Sequence, residues 1–446
     1  MIFQELKRFV RKSALIGRGD QVLAAVSGGS DSLAMLHLLS RLGREWSLEL
    51  HAACVDHGLR PEAKAEALFV KETARQWNVP FHSLKGHAAA EAERGKKSIQ
   101  HAARDMRYRL LERLARKIGA TRIALGHTLD DQAETVLMNI IRGCGIDGLG
   151  GISPMRGGLI IRPVLPFRRT RLREYLEERS ITYIRDASNR DFRFLRPRIR
   201  RTIMPALAKE NPGVARLLAG LADEARMTGD LLDSASRDFL AKHAGSLAGA
   251  VVVSRKQLLR RHPAQRAQIV RSLLEELSSS LLGFYRCHVE DILAMAAKGS
   301  GSQQLALPGG IVVRRQYDEL IFSREKGGAD RRLQGQSVAV TGPGTYVHRS
   351  AGARISVKGG SGEKSFPLEL RTRRRGDRLL GRKKSLKKLL VDLKVPRFAR
   401  DFIPLLARGK DVCWAGGLFR ARDFTPAVAM EPEEELSPYF QWLVER

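Results

Sequence analysis

A doubly wound parallel α/β sheet, followed by a helical domain and a small basic α+β domain, is the architecture the sequence predicts. Three observations carry that prediction. From residue 21 to about 184, short apolar runs of strand length alternate with segments of helical spacing, the pattern of βαβ units. Polar motifs stand where three of those runs end, at Ser27–Ser32, Asp56–Arg60 and Gly126–Asp131, and open α/β sheets bind ligands at the carboxyl ends of their strands. Breaks at Pro212-Gly213 and Gly327-Gly328 then divide the 446 residues into three expected domains, 1–213, 214–328 and 329–446.

The elements follow in order. Residues 1–20 predict a short amphipathic helix with Phe3, Leu6 and Val10 on one face. Leu23–Val26 is the first strand; a helix opening near Asp31 carries Leu33, Leu36, Leu39 and Leu42 at helical spacing. Leu48–Val55 is the second strand. A helix over Glu62–Trp77 leads to a short strand near Phe81, and a long helix runs over Ser98–Ile118. Ile123–Gly126 is a strand that ends in His127, followed by a helix over Asp130–Arg142. A strand at Leu159–Arg162, a helix near Thr170–Arg179 and a strand near Thr182–Ile184 complete the run. Beyond it, Val214–Met227 and the basic Arg255–Leu277 are expected helices, and Leu305–Pro308 and Ile311–Phe322 flank Gly309-Gly310 as a hairpin. The last third predicts strands at Ser337–Val340, Arg354–Val357 and around Val412, with a helix near Ser385–Leu393.

The stretch Ser27-Gly28-Gly29-Ser30-Asp31-Ser32 joins a strand to a helix N-terminus. Gly28 and Gly29 let backbone N–H groups approach a phosphate with no Cβ between them. The first turn of the helix adds orphan N–H donors and the positive end of the dipole. Ser27, Ser30 and Ser32 add hydroxyls. Asp31 repels a phosphate directly, so its carboxylate points to a bridging Mg²⁺. The plain alternative is a turn with a helix N-cap, which Ser and Asp supply in many proteins. Two look-alikes fail. Gly143-Cys144-Gly145-Ile146-Asp147-Gly148 has the dinucleotide spacing but follows a helix rather than a strand. Gly359-Gly360-Ser361-Gly362-Glu363-Lys364-Ser365 has Glu363 where a P-loop requires glycine.

Composition narrows the partners. Lys and Arg number 78 against 48 Asp and Glu, a formal charge of +30. Such an excess points to a polyanion, above all nucleic acid, bound in a salt-sensitive way. Cys54, Cys144, Cys287 and Cys413 lie far apart with no CxxC pair, so neither a zinc knuckle nor a disulfide framework is expected, and a reduced, cytoplasmic setting is. No apolar run is long enough to span a membrane.

The loop Ser27–Ser32 after its strand resembles the pyrophosphate loop of the PP-loop ATP pyrophosphatases, which split ATP between the α and β phosphates and form adenylates. Further motifs resemble the signatures of one branch, the tRNA(Ile)-lysidine synthetases. They are Val55-Asp56-His57-Gly58-Leu59-Arg60, Ala103-Arg104-Asp105-Met106-Arg107-Tyr108 and Gly126-His127-Thr128-Leu129-Asp130-Asp131-Gln132-Ala133-Glu134-Thr135. Arg142-Gly143 with the glycines to Gly151, Arg162-Pro163, Asp186-Ala187-Ser188-Asn189, Arg196–Pro205 and Arg375-Gly376-Asp377-Arg378 continue the likeness, which ends near Lys394-Val395-Pro396, Arg400 and Pro404. It covers most of the chain in the long three-domain form; the middle region matches in character only. Pro197 departs from the pattern, which usually has Asn there, and leaves the local backbone open.

The resemblance implies ATP-dependent ligation of free lysine to C2 of the wobble cytidine of a CAU-anticodon tRNA(Ile), through an adenylated cytidine. It implies ATP and Mg²⁺, no membrane partner, and leaves room for a homodimer. Ser27 to Ser32 would hold pyrophosphate, with Asp31 on the metal and Asp56 and His57 near the nucleotide. His127 would contact phosphate or a developing oxyanion; the alternative for either histidine is a packed or capped side chain. Asp131 and Glu134, three apart on one helix face, can grip an ammonium or a metal, and the resemblance assigns them lysine; the alternative is a solvated face favouring the helix dipole. Arg104 and Arg107 would meet the α-phosphate or tRNA. Arg193, Arg196, Arg198, Arg200 and Arg201 place five positive charges in nine residues, suited to phosphate or the activated base. Between Arg371 and Arg400 thirteen Lys or Arg stand against two Asp; Arg375, Arg378, Lys387 and Lys388 are the expected tRNA contacts there.

Three rival functions compete. A PP-loop tRNA-thiolating enzyme needs paired catalytic cysteines, which the spacing of the four does not supply. A non-catalytic RNA-binding protein would not need the intact loop and the Asp-Asp-Gln-Ala-Glu cluster. A glutamine-fed amidotransferase needs a cysteine after the initiator Met, where this chain has Ile2.

Overall fold

The computed structural model describes residues 1–59, 62–95, 98–184, 194–247, 250–278, 283–298, 302–324, 337–348, 353–359, 366–393, 395, 399–401 and 403–432. Two compact units divide at Gly229/Asp230. The first therefore extends past the expected boundary at 213.

In the first unit, alternation becomes the element order α1 (Ile2–Lys12), β1 (Gln21–Ala25), α2 (Ser30–Trp46), β2 (Glu49–Asp56), α3 (Ala63–Gln76), β3 (Phe81–Lys85), α4 (Ala88–Gly95), α5 (Ile99–Ile118), β4 (Arg122–Leu125), α6 (Leu129–Ile141), α7 (Ile146–Leu149), β5 (Met155–Arg156), β6 (Ile160–Ile161), α8 (Arg169–Glu177), α9 (Leu195–Arg198) and α10 (Met204–Glu210). The sheet order is β3-β2-β1-β4-β6-β5. All pairs are parallel except β5 on β6. A parallel sheet needs cover on both faces. One face buries Leu6, Val10, Leu33, Leu36, Val70 and Leu172 from α1, α2, α3 and α8. The other buries Tyr108, Leu111 and Leu114 of α5 against Leu23, Ile123 and Leu125.

Three expectations change here. α4 was not expected, and it precedes the long helix, whose N-cap Ser98 accepts from the His101 N–H. Thr182–Ile184 is not a strand: the Ile184 N–H donates to the Gly28 carbonyl (2.9 Å), so the segment crosses the glycine loop instead of extending the sheet. Pro197 is accommodated in the first turn of α9, where backbone N–H groups have no intrahelical partner. A π-helical turn, Ile199–Ile203, follows it.

α11 (Val214–His243) contributes Ala215 against Leu129 and Ala133 of α6, and Arg226 donates to the carbonyls of Gly150 and Ile152. These contacts are why the first unit continues beyond Gly213.

In the second unit the helices α12 (Arg255–Leu259), α13 (Pro263–Ser278) and α14 (Arg286–Ala297) pack on a sheet. Its strands are β7 (Ala244–Leu247), β8 (Ala250–Ser254), β9 (Gln303–Leu307), β10 (Ile311–Gln316) and β11 (Glu319–Arg324), in the order β7-β8-β11-β10-β9. The basic stretch 255–277 is thus two helices, broken before Pro263. The run Ile311–Phe322 is two strands, turning at Tyr317, whose φ is +53°. The C-terminal part has β12 (Val338–Val340), β13 (Gly344–His348), β14 (Ala353–Lys358), β15 (Leu368–Arg371), β16 (Arg378–Leu379), α15 (Leu386–Asp392), β17 (Leu405–Arg408), β18 (Asp411–Ala415), β19 (Phe419–Arg420) and β20 (Ala427–Pro432). They form one sheet ordered β12-β15-β17-β18-β16, with β19 on β18, and a second ordered β13-β14-β20.

Candidate active site

The loop after β1 is built as its residue types require. Gly28 has φ +82°, and a Cβ there would stand 2.6 Å from Cδ1 of Ile184. Both the handedness and the close approach therefore demand glycine. Ser32 Oγ accepts from the Ser27 N–H (3.2 Å) and donates to the Gly29 carbonyl (3.0 Å), which ties the loop to the first turn of α2. Gly126, after β4, lies against that same turn: a Cβ there would be 3.1 Å from the Ser32 Cα. The loops after β1 and β4 are thereby held together.

Across that junction runs a network of carboxylates and guanidiniums. Asp31 accepts from Arg169 Nε (2.9 Å), and Arg169 Nη2 donates to Asp131 (3.2 Å). Arg169 Nη1 lies 3.9 Å from Glu134. Arg196 bonds Asp131 and Glu134 at 3.1 Å each. Arg200 donates from Nε to Glu134 (2.6 Å) and from Nη2 to Asp131 (3.1 Å). Asp130 holds the group from behind, accepting from the Arg169 N–H (2.7 Å) and Arg168 Nε (3.0 Å). Asp131 also closes the N-terminus of α6, accepting from the N–H and hydroxyl of Thr128, a capping box.

The charges follow. Burial raises Asp131, but Arg169, Arg196 and the Thr128 N–H overcome it, leaving its carboxyl below the usual range. Burial of Asp31 wins over Arg169, so that carboxyl sits above its ordinary value. Arg169 is held more firmly protonated by Asp131, Asp31 and Glu134, against its burial.

His127 stands at the end of β4 with Nδ1 buried and without a hydrogen-bond partner among the described residues. Burial, aided by Arg162, Arg107 and Arg196 and opposed by Asp131, lowers it to about 3. Its imidazole is neutral at neutral pH. An unfolded chain takes up this proton near pH 6.5 and the folded one does not, so stability is lost as pH falls from about 6.5 toward 3. The loss is about 2 kcal/mol by pH 5. His127→Gln should flatten the fall in unfolding midpoint between pH 7 and 5; an unchanged slope would place the acid sensitivity elsewhere.

The structure brings Asp31, Asp131, Glu134, Arg196 and Arg200 into one network, with His127, Arg104 and Arg107 beside it. Asp56, at the end of β2, turns its carboxylate to the Gly58 N–H (2.8 Å), with His57 next in the chain. Asp31, expected on a metal, is paired with Arg169. Among the described residues no group of three or more His, Cys, Asp or Glu is arranged to hold a metal. One carboxylate beside a phosphate loop is nevertheless the donor set that suits a Mg²⁺ carried by nucleotide phosphates. Arg60, Asp186, Ser188, Asn189, Arg193, Lys394 and Pro396 lie outside the described residues. Arg169 escaped sequence reading because its partners are far away in the chain; its position in the Arg168-Arg169 pair before a helix was the available signal.

The basic segment from Arg371 proves partly neutralised. Arg371 is buried against Asp377 (2.9 Å). Arg374 pairs with Glu369, Arg373 with Asp401 and Arg378 with Asp411. These partners, apart from Asp377, lie outside the segment or on other strands, so counting acids within it understates the pairing and Arg378 is less available than expected. Arg375, Lys387 and Lys388 have no carboxylate within 4 Å among the described residues.

Comparison with known proteins is consistent along the chain. Residues 2–207 match the family described as PP-loop domain, 254–321 the TilS substrate binding domain and 368–434 the TilS substrate C-terminal domain. A tRNA(Ile)-lysidine synthase of Symbiobacterium thermophilum is 37% identical, with 95% of each chain covered. One of Geobacter sulfurreducens is 33% identical, over 94% of this chain and 93% of its own. Among solved structures, the U34-tRNA thiolase NcsA from Methanococcus maripaludis aligns with 21% identity and a TM-score of 0.43, over 50% of this chain and 80% of that one.

Proposed function

The chain belongs to the tRNA(Ile)-lysidine synthase family, and from that membership we propose that it is a carbon–nitrogen ligase that forms lysidine. It joins L-lysine to C2 of the wobble cytidine of CAU-anticodon tRNA(Ile), consuming ATP. The observation that carries the residue assignment is the meeting of the phosphate loop with Asp131 and Glu134 through Arg169. It supports reading the loop as an anion cradle and the neighbouring carboxylates as an ammonium-binding pair.

The reaction divides into two displacements. The C2 carbonyl oxygen attacks the α-phosphorus of ATP and pyrophosphate leaves. The ε-amine of lysine then attacks C2, and AMP departs with the former carbonyl oxygen. Adenylation turns a poor leaving group into a good one. The loop N–H groups, Ser27, Ser30 and Ser32 hold the phosphates, and Asp56 and His57 border the nucleotide. Asp31 would hold Mg²⁺, which would supply charge neutralisation for the phosphates. Neutral His127 offers a hydrogen bond to the developing oxyanion, and Arg104 meets a phosphate of the tRNA.

Asp131 and Glu134 hold the lysine ammonium, and a carboxylate there can take the proton that must leave before the amine attacks. In the free protein Arg196 and Arg200 stand on those oxygens; lysine must displace them, and the tRNA backbone is their natural alternative partner. Arg107 and the basic groups Arg375, Lys387 and Lys388 also meet tRNA, and Arg378 does so once freed from Asp411. Thiolation has little support: Cys54 is buried, with its thiol raised to about 11 by that burial. The same proposal places the work in the cytoplasm.

Glu134→Gln should raise the KM for lysine about tenfold or more and leave the KM for ATP within about twofold. Steady-state kinetics with each substrate varied in turn would show it; an unchanged lysine dependence would remove the pair from that role.

A further inference from the structure

Beside the carboxylate network lies a group of the opposite character. Tyr108 of α5 is buried, and four arginines surround it. Arg156 stands 4.4 Å from its ring, Arg104 5.3 Å and Arg107 5.6 Å. Arg104 Nη2 reaches the phenol oxygen at 3.5 Å. Arg162 is 4% exposed and gives Nη1 to the Ser153 carbonyl. The Nε atoms of Arg107 and Arg162, like Nδ1 of His127, are buried with no hydrogen-bond partner among the described residues.

These four arginines contrast with their neighbours. Arg169, Arg196 and Arg200 are each paired with carboxylates. The described residues offer Arg104, Arg107, Arg156 and Arg162 no carboxylate within 4 Å. Burial and the mutual repulsion of the group both act against the charge on Arg107 and Arg162. Burial would raise Tyr108, yet the four arginines leave its phenol below its ordinary value. Arg107 and Arg162 bury an idle Nε, while Arg104 and Arg156 reach the same phenol from exposed positions; a set of guanidiniums without carboxylate partners is completed by an anion. The planar fork of guanidinium matches a phosphate.

Position decides which phosphate. In the order β3-β2-β1-β4-β6 the glycine loop ends β1, and Asp56 and His57 end β2. Arg162 follows β6, two strand spacings or about 10 Å from β1, on the side away from β2. A nucleotide with its phosphates over β1 and its base toward β2 leaves the β4–β6 end to the other substrate.

We propose that Arg104, Arg107, Arg156 and Arg162, arranged around Tyr108, bind one backbone phosphodiester of the RNA beside the nucleotide that is modified. The proposal rests on the tRNA reading given above. Arg156 and Arg162 are new to the site, and Tyr108 is a positioning residue that spaces the guanidiniums.

The test is a coupling experiment with the full-length protein and a CAU anticodon stem-loop RNA. The phosphodiesters on either side of the wobble cytidine are replaced in turn by neutral methylphosphonates. Wild-type protein should lose about tenfold in affinity for one of the two. Arg156→Gln, at an exposed position, should lose about tenfold on native RNA and little more on the neutral RNA. Arg162→Gln should behave alike, and Arg156→Gln keeps the test valid if the buried change impairs folding. Losses that multiply would overturn the proposal. A raised KM for ATP with unchanged RNA affinity would overturn it in favour of a nucleotide phosphate. Wild-type protein that binds neither RNA would overturn the tRNA reading and the proposal with it.

Discussion

Asp31→Asn abolishes lysidine formation, by about a thousandfold or more, while tRNA affinity stays within about twofold. The asparagine keeps the size of the side chain and its neighbour Ser30, which now donates to the carboxylate at 3.1 Å. What it loses is the negative charge of the carboxylate beside the phosphate loop. Arg169 keeps its hydrogen bond to Asp131 and its ion-pair contact with Glu134, so the fold should survive. Phosphate contacts that position tRNA come from elsewhere, hence the retained binding. Single-turnover adenylation and a filter-binding titration separate the two quantities. Near-wild-type adenylation would take Asp31 out of the nucleotide site; a parallel loss of tRNA affinity would mean the variant is misfolded.

Arg169→Gln carries the second large effect, on stability. The Arg169 side chain is 19% exposed and reaches three acidic side chains. Its removal leaves Asp31 without its ion-pair partner and brings the repulsion among the three into play. Stripping one partner from a buried ion pair costs about 3–5 kcal/mol, which would lower the unfolding midpoint of this unit by about 10 °C. Arg169→Lys keeps the charge but not the fork, and should recover part of that loss. A midpoint within a degree or two of wild type for Arg169→Gln would show that Arg196 and Arg200 hold the carboxylates unaided.

Much of the first unit was legible because its signals are local. Buried parallel strands are continuous apolar runs, and the helices between them carry a stripe of Leu and Ala; Leu23 and Leu33 advertise their places without any partner. The loop was legible at Gly28, where the left-handed backbone and the approach of Ile184 exclude any side chain. Ile184 shows the limit. Its apolar alternation looks like a strand, yet its N–H goes to the carbonyl of Gly28 rather than to a neighbouring strand, and its side chain lies over that glycine. The strand Ala250–Ser254 was hidden among helical neighbours, although Val251-Val252-Val253 is a β-branched run. Within the site, Asp131 and Glu134 share a helix turn, so their spacing showed them as a pair. Arg169 was invisible for the opposite reason: it lies 138 residues from Asp31 and 38 from Asp131, and only the meeting of α2, α6 and α8 brings them together. The arginines around Tyr108 divide the same way. Arg104 and Arg107 are one helical turn apart, whereas Arg156 and Arg162 arrive from another strand pair.

The most direct measurement is the incorporation of labelled lysine into a CAU-anticodon tRNA(Ile) transcript, with ATP and Mg²⁺, followed by nucleoside analysis. Lysine fixed on the wobble cytidine, with one AMP released for each lysine joined, is the predicted result. Cleavage of ATP and binding of tRNA with no lysine in the nucleoside would contradict it, and would point to a different nucleophile at the same activated carbon.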